Sequence, residues 1–243
     1  MIIDLLEADD INLVGGKATS LSRLLRAKIR TPDGFVITTQ TKFPLTSRSQ
    51  HQILTKFDHT FPAGIKVAVR SSGVNEDSVD KSFAGQFDTF LHVEREDLIP
   101  KIEQVHASAF SQKIYHYDPT AKISIAVIIQ TMITPNISGV AFSANPITGN
   151  RDELMLEATP GLGEKLVSGQ VTPDLFIIDK SSGQILSHET GNHPLILTLK
   201  NLAKLIDQVR RIELLYGYPV DVEWAIANDQ LFILQARPIT VLK

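Results

Sequence analysis

Val220-Asp221-Val222-Glu223-Trp224-Ala225-Ile226 turns at Asn228-Asp229 and returns as Leu231-Phe232-Ile233-Leu234-Gln235. Each half alternates, which is the period-two signature of a half-buried strand, and the Asn-Asp pair between them is a turn signal. The segment is therefore a β-hairpin. Period two places Asp221 and Glu223 on one face, with Trp224 and Ile226 on the opposite, buried face. Gln235 and Arg237 share a face of the partner strand. Carboxylate and amide oxygens together form a hard site suited to Mg²⁺, which takes one or two protein oxygens plus nucleotide phosphates. Arg237 could meet the remaining phosphate charge. An ordinary exposed strand face with polar residues would show the same pattern.

Upstream, residues 195–216 carry the longest helical pattern, closed by Gly217 and Pro219. Apolar β runs occupy 123–129, 139–142, 153–157 and 175–179, and 85–93 reads as a strand with Phe87, Thr89 and Leu91 on one face. Helices are expected at 16–29, 47–59 and 96–116. Thr31-Pro32-Asp33-Gly34 is a turn leading into a short strand at 35–38. The total is an α+β mixture without a regular βαβ repeat, so a doubly wound sheet is not expected.

Composition narrows the functional classes. The 243 residues suit one domain of two lobes, and 43% hydrophobic content fills a core. A net charge of −3, with no concentrated run of Lys and Arg, argues against a nucleic-acid partner. The absence of cysteine removes disulfides, thiolate nucleophiles and Cys-type zinc sites together. Met1-Ile2-Ile3-Asp4-Leu5-Leu6-Glu7 lacks the basic start of a signal peptide, and the longest apolar run is too short to cross a bilayer. No membrane partner is expected, and the location is expected to be cytoplasmic.

Two further segments carry chemistry. Gly15-Gly16-Lys17 stands where a loop becomes a helix, so glycine permits close backbone approach and the helix N-terminus favours an anion. It lacks the Ser or Thr and the upstream glycine of a Walker loop, and a plain turn would look the same. Val67-Ala68-Val69-Arg70-Ser71-Ser72-Gly73 ends a strand on an arginine. Such an arginine needs a carboxylate or a phosphate, and two serines beside it could add donors. A structural pair with Glu76 or Asp77 is the alternative. Gly85-Gln86 lies on a second loop that could close over a ligand.

Seven blocks then fall in one order: Gly15-Gly16-Lys17, Val69-Arg70-Ser71-Ser72, Phe83-Ala84-Gly85-Gln86, residues 139–146 (Gly-Val-Ala-Phe-Ser-Ala-Asn-Pro), Gly161-Leu162-Gly163-Glu164, Asp221-Val222-Glu223-Trp224-Ala225 and Gln235-Ala236-Arg237-Pro238. From about residue 11 to 240, the chain resembles the nucleotide-binding domain of the phosphoenolpyruvate synthase and pyruvate phosphate dikinase family, which includes rifampicin phosphotransferase and glucan water dikinase. The resemblance implies a two-lobed ATP-grasp-like clamp of mixed or antiparallel sheets, with an N-terminal lobe at 1–120 and a C-terminal lobe at 121–243. It implies ATP and Mg²⁺ as cofactors. Lys17 and Arg70 would contact phosphates, with Gly16, Ser71, Gly85, Gln86 and Glu164 near the nucleotide. Gln130 and Met132 would line the adenine pocket. Glu223 and Gln235 would hold the metal, with Asp221 nearby and Arg237 at the phosphate end; Lys17, Arg70 and Arg237 would be the catalytic groups.

The family splits ATP to AMP and phosphate and passes a phosphoryl group through a histidine in a Ser-His-Ala or Cys-His-Ala context. His51, His59, His92, His106, His116, His188 and His193 all lack that context. The resemblance therefore implies a phosphotransferase that needs a separate phosphohistidine-carrying and acceptor-binding partner. A stand-alone kinase or ligase acting on a small molecule, and a nucleotide-binding module without turnover, are the alternatives.

Overall fold

Ile125-Ala126-Val127-Ile128-Ile129 has no polar alternation because both of its faces are covered. This strand sits at the centre of a sheet in the computed structural model, which describes residues 1–74, 89–108, 124–163, 169, 171–193 and 197–240. The chain divides into two units, Met1–Arg26 with Pro32–Met132, and Ala27–Thr31 with Ile133–Lys243.

The first unit holds β1 (Ile2–Asp4), β2 (Gly34–Ile37), β3 (Val67–Gly73), β4 (Thr89–Val93) and β5 (Ile125–Thr131), in the order β1-β2-β5-β3-β4. Every neighbouring pair is antiparallel. On one face Ala126 and Ile128 pack with Val14, Ala18 and Leu21 of α1 (Ile11–Arg26). On the other, Val127 and Ile129 pack with Ile53 and Phe57 of α2 (Ser47–Thr60) and Ile102 of α3 (Leu98–Ser108). Each fully buried aliphatic side chain contributes about 1.5–3 kcal/mol. Thr46 caps α2 by accepting from the Ser49 N–H at 3.2 Å.

The second unit is a six-stranded antiparallel sheet: β6 (Ile137–Phe142), β7 (Glu153–Pro160), β8 (Asp174–Asp179), β9 (Ile185–Glu189), β10 (Val220–Ala227) and β11 (Gln230–Pro238), ordered β11-β10-β6-β7-β8-β9. Helix α4 (Leu199–Tyr216) packs on β10 and β11. Thr198 caps its start, and Gly217, with φ 77° and ψ 11°, ends it in the left-handed conformation that glycine adopts without penalty.

The expected hairpin is present, and Asn228 and Asp229 both take positive φ, at 49° and 59°, as a two-residue turn between twisted strands requires. Trp224 and Ile226 are buried as expected. The division of the chain differs from the expected one in two places. The boundary between units falls after Met132 rather than at 120, because β5 completes the first sheet between β2 and β3. Residues 27–31 leave the first unit, since the Ile233 N–H donates to the Arg30 carbonyl at 2.9 Å and fastens that segment to β11. All pairings between described strands are antiparallel, as the expectation of mixed or antiparallel sheets allowed. The sequence pattern also missed β1 and β9, which are short edge strands; β9 is exposed at every residue and has no buried alternation to reveal it.

Candidate functional site

In the first unit, α1 breaks at Gly15, where φ is 75° and ψ 172°, so the helix proper starts at Gly16. A Cβ on Gly15 would stand 2.1 Å from the Ser72 carbonyl oxygen, which shows how closely the loop approaches β3. Glycine is required twice over there, by φ and by contact. The buried Ser72 hydroxyl accepts from the Ala18 N–H at 3.1 Å and satisfies one of the orphan donors in the first turn. Lys17 reaches over the same strand, its Nζ donating to Ser71 Oγ at 3.4 Å. Gly16, Lys17, Ser71 and Ser72 thus come together although 54 residues separate the two motifs.

Arg70 precedes these serines on β3, opposite Ile128 of β5 and Thr89 of β4, and is half-buried. A helix N-terminus beside a lysine, an arginine and two serines provides the positive charge and donors that a phosphate chain needs. The Gln130 side chain is 2% exposed, and its Nε2 donates to the Pro32 carbonyl at 3.2 Å, anchoring the approach to β2. The Met132 N–H is likewise committed, to the Lys66 carbonyl at 3.0 Å. Gly85, Gln86 and Glu164, together with Glu76 and Asp77, lie outside the described residues.

In the second unit the hairpin register does what period two alone could not: it sets Glu223 directly opposite Gln235, and Asp221 directly opposite Arg237. Directly paired residues share a face of a sheet. A bulge after Glu223 resets the pairing so that Trp224 faces Ile233, which keeps both apolar side chains on the other face. Arg237 Nε donates to Asp221 Oδ2 at 2.8 Å. Burial pushes the Asp221 carboxyl up, the Arg237 charge and hydrogen bond pull it down, and the neighbouring Glu223 charge pushes it up again. Asp221 Oδ1 is buried and has no hydrogen-bond partner among the described residues.

The same row continues from Glu223 through Val140 to Glu157 on β7. Glu157 is half-buried, and its carboxyl is pushed up by burial and then by the Asp221 charge. Sequence reasoning gave Glu157 no role; the available signal was a carboxylate inside an apolar strand, Leu154-Met155-Leu156-Glu157-Ala158. The row therefore carries oxygens from Gln235, Glu223 and Glu157, with Asp221 beside it. Among the described residues no cluster of three or more histidine, cysteine or carboxylate groups could hold a metal unaided. Glu223 and Gln235, with the unsatisfied Asp221 oxygen, fit Mg²⁺, which keeps waters and takes much of its shell from phosphate.

Other motif residues serve the scaffold. A Cβ on Gly139 would lie 1.9 Å from the Glu157 carbonyl oxygen and 2.8 Å from the Trp224 ring, so glycine lets the tryptophan pack on β6. Ser143 Oγ accepts from the Val220 N–H at 2.8 Å, and Asn145 closes its own turn by accepting from the Ile147 and Thr148 N–H groups. Two histidines are engaged in stacking: His106 on Phe43 at 3.7 Å and His188 on Phe176 at 4.2 Å.

Comparison with known proteins bears on the family and the fold. The family model described as pyruvate phosphate dikinase, AMP/ATP-binding domain, matches residues 46–199 and 188–243. Among curated relatives, the chain is 32% identical to prodigiosin synthesizing transferase PigC of Serratia marcescens over 93% of its length and 31% of that protein's. It is 33% identical to the uncharacterized phosphotransferase YvkC of Bacillus subtilis over 95% of its length and 34% of that protein's. With a probable phosphoenolpyruvate synthase of Archaeoglobus fulgidus the identity is 32%, over 98% of this chain and 41% of the relative. The chain thus spans less than half the length of these relatives.

Among solved structures, the dinucleotide-forming acetyl-coenzyme A synthetase 1 of Ca. Korarchaeum cryptofilum, in complex with coenzyme A, Ca-AMPCP and HgCl+, matches with a TM-score of 0.54 at 10% identity, over 93% of this chain and 92% of that one. PH1788 of Pyrococcus horikoshii Ot3 matches with a TM-score of 0.52 at 13% identity, over 94% of this chain and 91% of that one. At such identities the likeness is one of fold, and the fold is ATP-grasp. No described helix is long and apolar enough to cross a membrane.

Proposed function

Because the chain belongs to the pyruvate phosphate dikinase AMP/ATP-binding domain family, we propose that it binds Mg·ATP and cleaves it, passing a phosphoryl group to a histidine that lies outside these 243 residues. The overall change is ATP plus water plus acceptor giving AMP, inorganic phosphate and phosphorylated acceptor. The observation that carries this reading is the hairpin register, which pairs Glu223 with Gln235 and Asp221 with Arg237 on one face. Glu223 and Gln235 would hold Mg²⁺, with Asp221 beside them. When bound, the metal neutralises phosphate charge and polarises the bond that breaks. Arg237, held by Asp221, keeps its charge fixed at the phosphate end.

Within the first unit, Lys17 and Arg70 with the Gly16 helix start form a separate set of donors suited to phosphate. None of the seven histidines stands in a carrier-like sequence, and His106 and His188 are stacked on aromatic rings, which supports an external carrier.

Product analysis tests the reading. Protein incubated with Mg·ATP and a candidate carrier domain should yield AMP and an acid-labile phosphohistidine on the carrier. Glu223→Ala should abolish Mg²⁺-dependent ATP binding with little loss of fold, since this side chain is only half-buried. ADP with a phosphorylated small molecule would replace the histidine route by direct kinase chemistry. Undiminished metal-dependent binding in the Glu223 variant would overturn the site.

A further inference from the structure

Residues 27–31 enter the second unit and build a pocket on it whose chemistry belongs to neither set of residues described above. Three contacts fix the segment. The Ile233 N–H donates to the Arg30 carbonyl, Arg211 Nη2 donates to the Ala27 carbonyl at 2.9 Å, and Arg30 Nη1 donates to Gln230 Oε1. The resulting pocket has a volume of about 220 Å³ and is lined by Lys28, Arg30, Lys204 and Arg211 above the apolar floor of Leu231 and Ile233. Lys204 and Arg211 lie seven residues apart on α4, with Gln208 between them, so all three share one helix face.

No carboxylate lines the pocket, and none pairs with any of its four cations among the described residues. The chain holds 27 acidic and 24 basic residues, so an acid-free lining is not what average composition would place there. Elsewhere, Arg26, Lys56, Lys66, Arg95, Lys180 and Arg237 each have a carboxylate partner. Four like charges assembled without a counter-charge leave a positive potential that a mobile anion relieves. Lys28 also holds φ at 57°, a left-handed conformation that a lysine adopts at a cost and that the docked segment imposes.

The floor identifies the face. Ile233 pairs with Trp224 and Leu231 with Ile226, so the pocket lies across the sheet from Glu223 and Gln235. Its volume is below the roughly 300–1,000 Å³ typical of organic-ligand pockets, which suits a small ion and excludes a whole nucleotide. Arginine forks and lysine point charges are the donors that recognise phosphate oxygens.

We propose that this pocket is a second anion site, which binds a small, multiply charged phosphate independently of the nucleotide residues. The probe is inorganic pyrophosphate, titrated calorimetrically in EDTA into the wild-type chain, a Lys204→Gln/Arg211→Gln variant and an Arg70→Gln variant. Pyrophosphate should bind the Arg70 variant and shift the amide resonances of Lys28, Arg30 and Ile233. The Lys204/Arg211 variant should lose tenfold or more in affinity at this site, and Lys204→Gln alone, which removes none of the contacts that fix the segment, should lose affinity with an unchanged melting temperature because that side chain is exposed. Glycerol phosphate is the second arm. Equal affinity assigns the site to phosphate esters, and weaker binding assigns it to the free ion. Failure of pyrophosphate to bind the Arg70 variant, or retention of full affinity in the Lys204/Arg211 variant, overturns the proposal. Neither result bears on the ATP reading, which rests on other residues.

Discussion

Replacing Arg237 with methionine removes the hydrogen-bonding partner, among the described residues, of a carboxylate that the fold has largely taken out of water. The Asp221 side chain is 10% exposed and that of Arg237 31%, with 2.8 Å between Nε and Oδ2. Removing one member of a buried pair costs about 3–5 kcal/mol, and losing a hydrogen bond to a charged group costs about 1.5–3 kcal/mol. Because the guanidinium is partly open to water, the lower range governs, and about 2–3 kcal/mol is expected at pH 7.

The pH dependence follows from the sign of the Asp221 shift. Burial already raises its folded pKa above the ordinary carboxylate value, and removing Arg237 removes both influences that lower it. A carboxyl whose folded pKa exceeds its unfolded one costs stability where it is charged, and that cost vanishes as protonation sets in on acidification. The deficit of the Arg237→Met variant should therefore shrink between pH 7 and pH 4. Trp224 is the only tryptophan and lies buried on β10, so urea unfolding followed by its fluorescence reports this unit specifically. Asp221→Asn in the same background should recover part of the loss. A deficit below about 0.5 kcal/mol, or one unchanged by pH and by the Asp221 substitution, would refute the reasoning.

Other consequences are as direct. Gly15→Ala places a Cβ 2.1 Å from a backbone oxygen at φ 75°, so it should cost about 2 kcal/mol or more and lower hydrogen-exchange protection of the Ala18 amide; unchanged protection would show that the loop can move away. Ser182→Ala removes the main donor that holds the Asp179 carboxyl down to about 2, so its pKa measured by NMR should rise toward 3.8. Stability that Asp179 contributes above its unfolded pKa, lost as pH falls through about 2, should diminish with it. Arg70→Lys should weaken ATP by about 2–3 kcal/mol and leave adenosine nearly unchanged, since a point charge cannot reproduce a two-pronged contact; equal loss for both ligands would place Arg70 in the scaffold instead.

The alternating hairpin, the capped helix ending at Gly217 and the unbroken apolar run of β5 were legible in the sequence, because period and turn chemistry are local properties of the chain. So were the residue types whose chemistry suits phosphate and metal. Period two could say that Asp221 and Glu223 share a face, but not which residues of the returning strand they meet. That was decided by a two-residue turn and a bulge after Glu223, which together set the register. The sequence likewise showed Gly15-Gly16-Lys17 and Arg70-Ser71-Ser72 as separate motifs; only packing of α1 on β3 made Ser72 the cap of the helix that carries Lys17. Nor did the sequence show that the Gln130 side-chain amide is given to the Pro32 carbonyl and the Met132 N–H to that of Lys66. Glu157 gave only the faint signal of a carboxylate inside an apolar strand and the docked segment 27–31 gave none, since their neighbours come from strands and a helix distant in the chain. Long-range pairing is settled by the summed burial of whole faces, which no window of sequence contains.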